Sequence, residues 1–289
     1  MADMTVYKVE HTKNTRRHII IKTFGSLILL FIGIMIIIPF IWMIFSSVKP
    51  EIEVFSYPVR LFPKKWMFSN YVKIWTENYS FALFYLNSIK VTVLILIGQL
   101  LTSTLAAYGF SKVEFRFRDT LFIVFLANLM VPNLVLWIPR FILLQSFNLL
   151  DTHLALILPL SFSAFATFLL RQFFLTIPRE LSEAAFIDGC SHLKFLWRIL
   201  LPLSKPAITS VIIISFVQRW NDYENPLIFL NTKELYTVPL GLTLFIDETI
   251  QQYALIMAGA VSALVPVIII FLLGQQYFIE GITTSGIKG

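Results

Sequence analysis

Two short stretches gather side chains that could do chemistry in a chain that is otherwise mostly apolar. The first, 183–202 (EAAFIDGCSHLKFLWRILLP), carries Glu183, Asp188, His192, Lys194 and Arg198 around Gly189. Acids and bases alternating about a glycine suit a charged, turning surface better than a reaction centre. The second, 220–225 (WNDYEN), gathers amides, carboxylates and two aromatic rings. Elsewhere the pattern speaks against catalysis. His11, His18, His153 and His192 are far apart and none has metal-ligand spacing. Cys190 is the only cysteine, which excludes an intrachain disulfide. There is no nucleophile elbow, no paired intramembrane carboxylates, and no G-x-x-x-x-G-K-[ST] phosphate loop. No metal ligand set and no catalytic residue is assigned.

The elements that must position these residues are set by composition. Of 289 residues 57% are hydrophobic and 14% charged, and the mean hydropathy is +0.77. Soluble chains carry roughly 25% charged residues. The expected fold class is an all-α polytopic membrane protein, because backbone groups in lipid must be satisfied within each segment. Six spans are expected, at roughly 24–46 (with a kink at Pro39), 83–109, 120–142, 153–175, 204–230 and 254–279. Basic residues precede the first apolar run, which is long enough to span and lacks a small-residue cleavage site, so it reads as a retained helix rather than a signal peptide.

Lys and Arg near the span ends set the orientation. Lys8, Lys13, Arg16, Arg17 and Lys22 precede span one. Lys112, Arg116 and Arg118 follow span two, and Arg171, Arg179, Lys194, Arg198 and Lys205 lie between spans four and five. This places both termini in the cytoplasm. The organisation is then a cytoplasmic arm at 1–23, a transmembrane domain at 24–280 and a cytoplasmic tail at 281–289. The transmembrane domain includes an outer loop at 47–80, a cytoplasmic segment at 176–205 and a second outer loop at 231–253. Trp66, Tyr71, Trp75 and Tyr79 suit an interfacial position. The net charge of +6 is scattered over short loops with no basic face alternating with aromatics, which argues for contact with anionic lipid and against nucleic acid.

In 176–205, Pro178 suits a first helical turn, and Glu180 and Glu183 favour the positive end of that helix. Leu181, Ala184 and Ala185 form a small apolar face, and Gly189 permits a sharp change of direction. A second short helix follows, with Leu193, Leu196 and Trp197 as its apolar stripe. The residues alone fit an amphipathic hairpin resting on lipid and a docking element for a cytoplasmic partner equally well.

The order of letters separates the two. Glu183-Ala184-Ala185, three residues, Gly189, nine residues, Ile199, one residue and Leu201-Pro202 resembles the EAA signature of binding-protein-dependent ABC importer permeases. The resemblance covers nearly the whole chain. NSIKVTV at 87–93, LAAYGFSK at 105–112, PRELSEAAFIDG at 178–189, LPLSKPA at 201–207, WND at 220–222 and EGITTSGIKG at 280–289 are similar to the sugar-importing branch. Within it the chain is most similar to the shorter permease of maltose-type and glycerol-phosphate-type systems. Gly109, Ser111 and Cys190 stand where that family often has alanine.

The resemblance implies the type I ABC importer permease fold in a bacterial or archaeal plasma (inner) membrane. It implies a second, homologous permease, two ATPase subunits and an extracellular solute-binding protein. No cofactor is bound by this chain; ATP and Mg belong to the partner ATPase. Glu183, Ala184, Ala185, Asp188, Gly189, Ile199, Leu201 and Pro202 form the ATPase-coupling motif. The loop at 231–253, with Gly241, Asp247, Glu248, Gln251 and Gln252, reaches toward the binding protein, and Thr283–Gly289 enters the ATPase dimer interface.

Polar groups inside spans face a cavity or another helix. Gln99, Thr102, Ser103, Thr104, Ser161, Ser163, Ser210 and Ser215 fit helix–helix hydrogen bonds. Asn87, Asn128, Asn133, Gln218, Asn221, Asp222 and Tyr223 are candidates for a substrate pathway. A sugar is hydroxyl-rich and disc-like and needs amide and carboxylate partners with aromatic faces, the mixture in WNDYEN; the same residues would also serve as a helix end. Ion-coupled secondary transport would call for ionisable groups within the spans, and Lys90 stands out as the nearest. With little Arg or Lys expected in the cavity, a neutral oligosaccharide or disaccharide is favoured over glycerol phosphate or a polyol.

Overall fold

The computed structural model describes residues 3–76, 81–245 and 252–286, and the side-chain surroundings of 19, 21–76, 81–245 and 252–276. Helices α1 (Asp3–Ser47), α2 (Glu51–Val54), α3 (Ser69–Thr76) and α4 (Phe81–Lys112) come first. They are followed by α5 (Arg118–Ala127), α6 (Asn133–Ser146), α7 (Leu154–Leu160) and α8 (Ala164–Thr176). Next come α9 (Arg179–Ile187), α10 (His192–Phe195), α11 (Leu201–Leu203) and α12 (Lys205–Trp220). The last are α13 (Glu224–Phe229), α14 (Val238–Gly241) and α15 (Tyr253–Gly286). No strand occurs among the described residues.

Four stretches are long and apolar enough to cross a membrane: Ile21–Ser47, Phe81–Lys112, Leu154–Thr176 and Tyr253–Gln276. Two further pairs are bent, Arg118–Met130 with Asn133–Ser146 by 96° and His192–Leu203 with Lys205–Trp220 by 80°, so the number of spans is four to six. Spans one, two and six match the sequence expectation as single helices, although α1 already begins at Asp3 and runs through Pro39.

The other three expected spans are not single helices, and each break has a local cause. The 120–142 run stops at Val131, which is extended (φ −82°, ψ 118°), because the ring of Pro132 disfavours the helical region for the residue before it. The 153–175 run is interrupted between Leu160 and Ala164, where Ser163 is extended and its hydroxyl accepts from the Ala166 amide at 3.1 Å. The 204–230 run ends at Trp220. Asn221 closes that helix, and the Asp222 carboxylate accepts from the Asn225 amide at 3.2 Å to start α13.

Contacts divide the described chain into two compact units, 1–71 with 252–261 and 72–251 with 262–289. In the first, the end of α1 is tied down by polar contacts. Asn70 Nδ2 donates to the carbonyls of Ser47 and Lys49, both at 2.9 Å, and the buried Lys49 ammonium donates to Arg60 O at 2.6 Å. Burial pushes the Lys49 pKa down, against the opposing pull of Glu53. The Glu51 carboxylate accepts from the Tyr253 and Ala254 amides at 2.7 and 2.8 Å, supplying negative charge where α15 begins.

The second unit is built on α4, which packs against α7, α8 and α12. Its polar residues join helices as expected. Gln99 Nε2 donates to Ser215 Oγ at 2.6 Å, and Thr102 Oγ1 to Ser161 O at 2.7 Å. Gly98 lies against the Ser161 side chain so closely that a Cβ would overlap it. The turn before α7 is held by Asp151, whose carboxylate accepts from the Asn231 and Thr232 amides at 2.8 and 2.9 Å and from the Thr232 hydroxyl.

These bonds, the Thr232 hydroxyl first, hold the Asp151 carboxyl below its ordinary pKa. A depressed pKa contributes stability above the unfolded-state value of about 3.9, and that stability is lost as pH falls through the folded value. We expect Asp151→Asn to cost on the order of 1 kcal/mol at pH 7, given the partial exposure of the bonds. Thermal unfolding of the solubilised protein should show this gap closing below about pH 4. A gap that persists unchanged at low pH would rule out the charged carboxylate as its source.

Candidate functional site

The 176–205 segment folds as a hairpin. Pro178 is extended and precedes α9, so it caps the helix one position earlier than a first-turn proline would. Helix α9 ends in a tight closure. Gly189 has φ +76°, its amide bonds Phe186 O at 3.0 Å, and the Cys190 amide bonds Ala185 O at 2.9 Å. That pair of bonds needs a left-handed residue at 189, which a residue with a Cβ reaches at a cost of roughly 1–2 kcal/mol. Ser191 then caps α10, accepting from the Lys194 amide at 3.4 Å. The helix continues through a π turn at Leu196–Leu200 into α11. Pro202, lacking an N–H, cannot bond the Arg198 carbonyl.

One side of the hairpin is buried. Ala185, Phe195, Leu196 and Leu200 share a core with Ala107 and Tyr108 of α4, Leu170 and Phe174 of α8, and Val211 of α12. The apolar stripe therefore differs from the expected one. Leu196 is buried, but Leu193 and Trp197 are 61% and 50% exposed, and Phe195 and Leu200 take their places. Leu200, four residues after Leu196, continues its face as in an ordinary helix, while Phe195 of α10 takes the place expected for Leu193. Polar contacts reinforce the seam. Tyr108 OH and His192 Nδ1 are 2.7 Å apart, Lys112 Nζ donates to Ile177 O at 2.7 Å, and Arg179 pairs with Glu114 at 3.0 Å.

The other side is open. Glu183, Ala184, Asp188 and Gly189 are exposed, and so is Ile187, at 86%. An acidic, small-residue surface with one projecting aliphatic side chain suits close approach by another protein. Sequence reading missed Ile187; its position between Ala184 and Gly189, apolar at the end of a short polar helix, was the available signal. The remaining motif residues are placed differently. Ala185 is buried, Ile199 and Leu201 pack against the core, and Pro202 is exposed.

The pathway candidates do not form one cluster. Asn87 is buried and its amide donates to the carbonyls of Glu234 and Tyr236 at 2.8 and 3.1 Å. Asn128 and Asn133 are exposed on either side of the Pro132 break. Gln218, Asn221 and Tyr223 are exposed around the end of α12, with Asp222 half-buried among them. Trp220 of WNDYEN is a core residue: it is buried, its indole N–H donates to Ala263 O at 2.9 Å, and Tyr85 meets it edge-on at 5.3 Å. Two arginines at this break were passed over. Arg219 ends α12, and Arg140 of α6 donates to Asn225 Oδ1 at 3.3 Å. Each interrupts a long apolar run, a signal as visible as that of Lys90.

Asp247, Glu248, Gln251 and the end of the tail, 287–289, lie outside the described residues, as do the side chains of 283–286. Of the same loop, Gly241 is buried against the Phe84 ring and Gln252 is half-buried.

Residues 99–282 match the family described as binding-protein-dependent transport system inner membrane component. The chain is 33% identical over 266 residues to the arabinooligosaccharides transport system permease protein AraQ of Bacillus subtilis, covering 91% of this chain and 95% of the relative. It is 34% identical over 266 residues to the sn-glycerol-3-phosphate transport system permease protein UgpE of Yersinia pestis, covering 89% and 95%. Its fold superposes with a TM-score of 0.78 and 25% identity on a chain of a bacterial ABC transporter involved in the import of the acidic polysaccharide alginate, covering 89% of this chain and 97% of that one. Motif, fold and relatives coincide over the same span, and the chain belongs to the binding-protein-dependent transport system inner membrane components.

Proposed function

We propose that this chain is one of two permease subunits of an ATP-driven importer, working with two ATPase subunits and an extracellular solute-binding protein in a bacterial or archaeal plasma membrane. Its cargo is a sugar, as for the arabinooligosaccharide relative. A phosphorylated glycerol compound is the second reading, favoured by the identity to UgpE. The chain itself carries out no reaction; ATP and Mg act on the ATPase. Arg118–Met130 with Asn133–Ser146 counts as one span and Lys205–Trp220, beyond the hairpin, begins another, giving six, with both termini cytoplasmic as the basic residues suggest.

The observation that carries the reading is the two-sided hairpin. Its exposed side, Glu183, Ala184, Ile187, Asp188 and Gly189, is free to seat in an ATPase cleft. Its buried side is packed into the feet of α4, α8 and α12. When ATP draws the ATPase subunits together, the hairpin moves with them as a body. Because Phe195, Leu196 and Leu200 are fully buried, the motion passes to the spanning helices rather than being absorbed in a loose loop.

Glu183→Ala and Gly189→Ala should each abolish ATP-dependent uptake in membrane vesicles while the chain stays in the membrane at normal abundance. Ile187→Asp should also prevent the ATPase from co-purifying with the tagged chain, since it places a desolvated charge in the contact. Normal uptake in both of the first two variants would refute the docking role.

A further inference from the structure

The break at the end of α12 brings together two guanidinium groups and one carboxylate. Arg140 of α6 donates to Asn225 Oδ1 at 3.3 Å, Asn225 in turn holds the Asp222 carboxylate, and the Asp222 amide bonds the carbonyl of Arg219, in the last turn of α12, at 3.4 Å. The carboxylate makes a direct ion pair with neither. The ion pairs among the described residues join Arg118 and Arg171 to Asp119 and Arg179 to Glu114, and neither Arg140 nor Arg219 belongs to one. Asp222 is engaged by Asn225, which donates its amide N–H at 3.2 Å and its side-chain Nδ2 at 3.1 and 2.8 Å. The Arg219 Nε is buried with no hydrogen-bond partner. A buried donor left unmatched is unusual in folded proteins and asks for an acceptor from elsewhere. Turned to lipid, the pair would be costly; the exposed neighbours Gln218, Asn221 and Tyr223 are polar or amphipathic, as for a surface facing a watered path.

We propose that Arg140 and Arg219 form an anion-binding subsite of the translocation path, and that the cargo is a glycoside bearing an oxyanion. This rests on the importer reading and narrows it. The guanidinium fork is planar and matches an oxyanion with paired N–H donors. A neutral sugar hydroxyl would satisfy Arg219 Nε but would leave the net positive charge of two cations and one acid uncompensated. Tyr223, exposed two residues beyond Asn221, supplies a ring face for the sugar itself, and Asn221, whose Nδ2 is held by Val217 O at 2.9 Å, offers its Oδ1 as an acceptor.

The test uses the purified membrane complex, with its co-purifying subunits, in nanodiscs without the solute-binding protein, so that the latter's selectivity does not intervene. Equilibrium binding is measured for radiolabelled digalacturonate, for neutral arabinobiose and for inorganic sulfate alone. Digalacturonate should bind at least about tenfold more tightly than arabinobiose, a difference near 1.4 kcal/mol. Arg219→Gln and Arg140→Gln should each remove that preference by weakening digalacturonate binding far more than arabinobiose binding, and Arg219→Lys should restore part of it. Equal digalacturonate binding by wild type and both variants would overturn the subsite. So would loss of the second permease from the complex in Arg219→Gln, which would make the arginines a subunit contact. If neither glycoside binds but sulfate binding still depends on Arg219, the anion subsite stands and the sugar reading falls. If sulfate and digalacturonate both fail to bind wild type, the subsite falls.

Discussion

Everything the 176–205 hairpin can do depends on the burial of one of its sides. A nine-residue helix such as α9 cannot hold itself in water or at a membrane surface, because nucleation costs more than so few hydrogen bonds return. What holds it is the seam of Ala185, Phe195, Leu196 and Leu200 against Ala107, Leu170 and Phe174. Fully burying each of the three larger side chains is worth about 2 kcal/mol. The tight turn at Gly189 lets two short helices share that seam while keeping Glu183, Ile187 and Asp188 outside it. One apolar seam thus both orients the exposed face and links it to three long helices.

The second unit treats its polar residues in two distinct ways. Gln99, Thr102 and Asn87 are matched to Ser215, the Ser161 carbonyl and the carbonyls of Glu234 and Tyr236. These bonds join helices and loops, although Gln99 Oε1 is itself buried with no partner among the described residues. At the α12 break the pattern differs. Arg140 has a single amide partner at 3.3 Å and Arg219 Nε has none. The expectation of a cavity poor in cations considered Lys90 and passed over Arg140 and Arg219, two arginines in equally apolar surroundings.

Several of the polar side chains of this chain lie at helix breaks. The bends at Pro132 and at Ser204, and the interruptions at Ser161–Ser163 and Asn221–Tyr223, leave backbone groups that a continuous helix would satisfy. Side chains of Ser163 and Asp222 take up part of that demand. Such irregular backbone at membrane depth is stable only where protein or water covers it. The substrate-pathway candidates that are exposed, Asn128, Asn133, Gln218, Asn221 and Tyr223, all flank a break.

The sequence by itself determined the all-helical membrane class, because long apolar runs admit little else, and it determined the family, because the spacing of Glu183, Gly189, Ile199 and Pro202 is long and strict. It also placed α1, α4 and α15 to within a few residues, although α1 begins well before its apolar run. It did not determine which runs stay continuous. Hydropathy averages over a proline or an Asx cap that stops a helix within a single residue, so the breaks near Pro132, Ser163 and Asp222 were invisible to it. Nor did it show that Phe195 and Leu200 rather than Leu193 or Trp197 face the core, because several stripes of this short apolar segment are possible and only the packing against α4 and α8 selects one. The meeting of Arg140 with Arg219 and Asp222 was decided by tertiary structure alone. Residues nearly eighty positions apart converge only once α6 and α13 pack together, and local propensity carries no information about that contact.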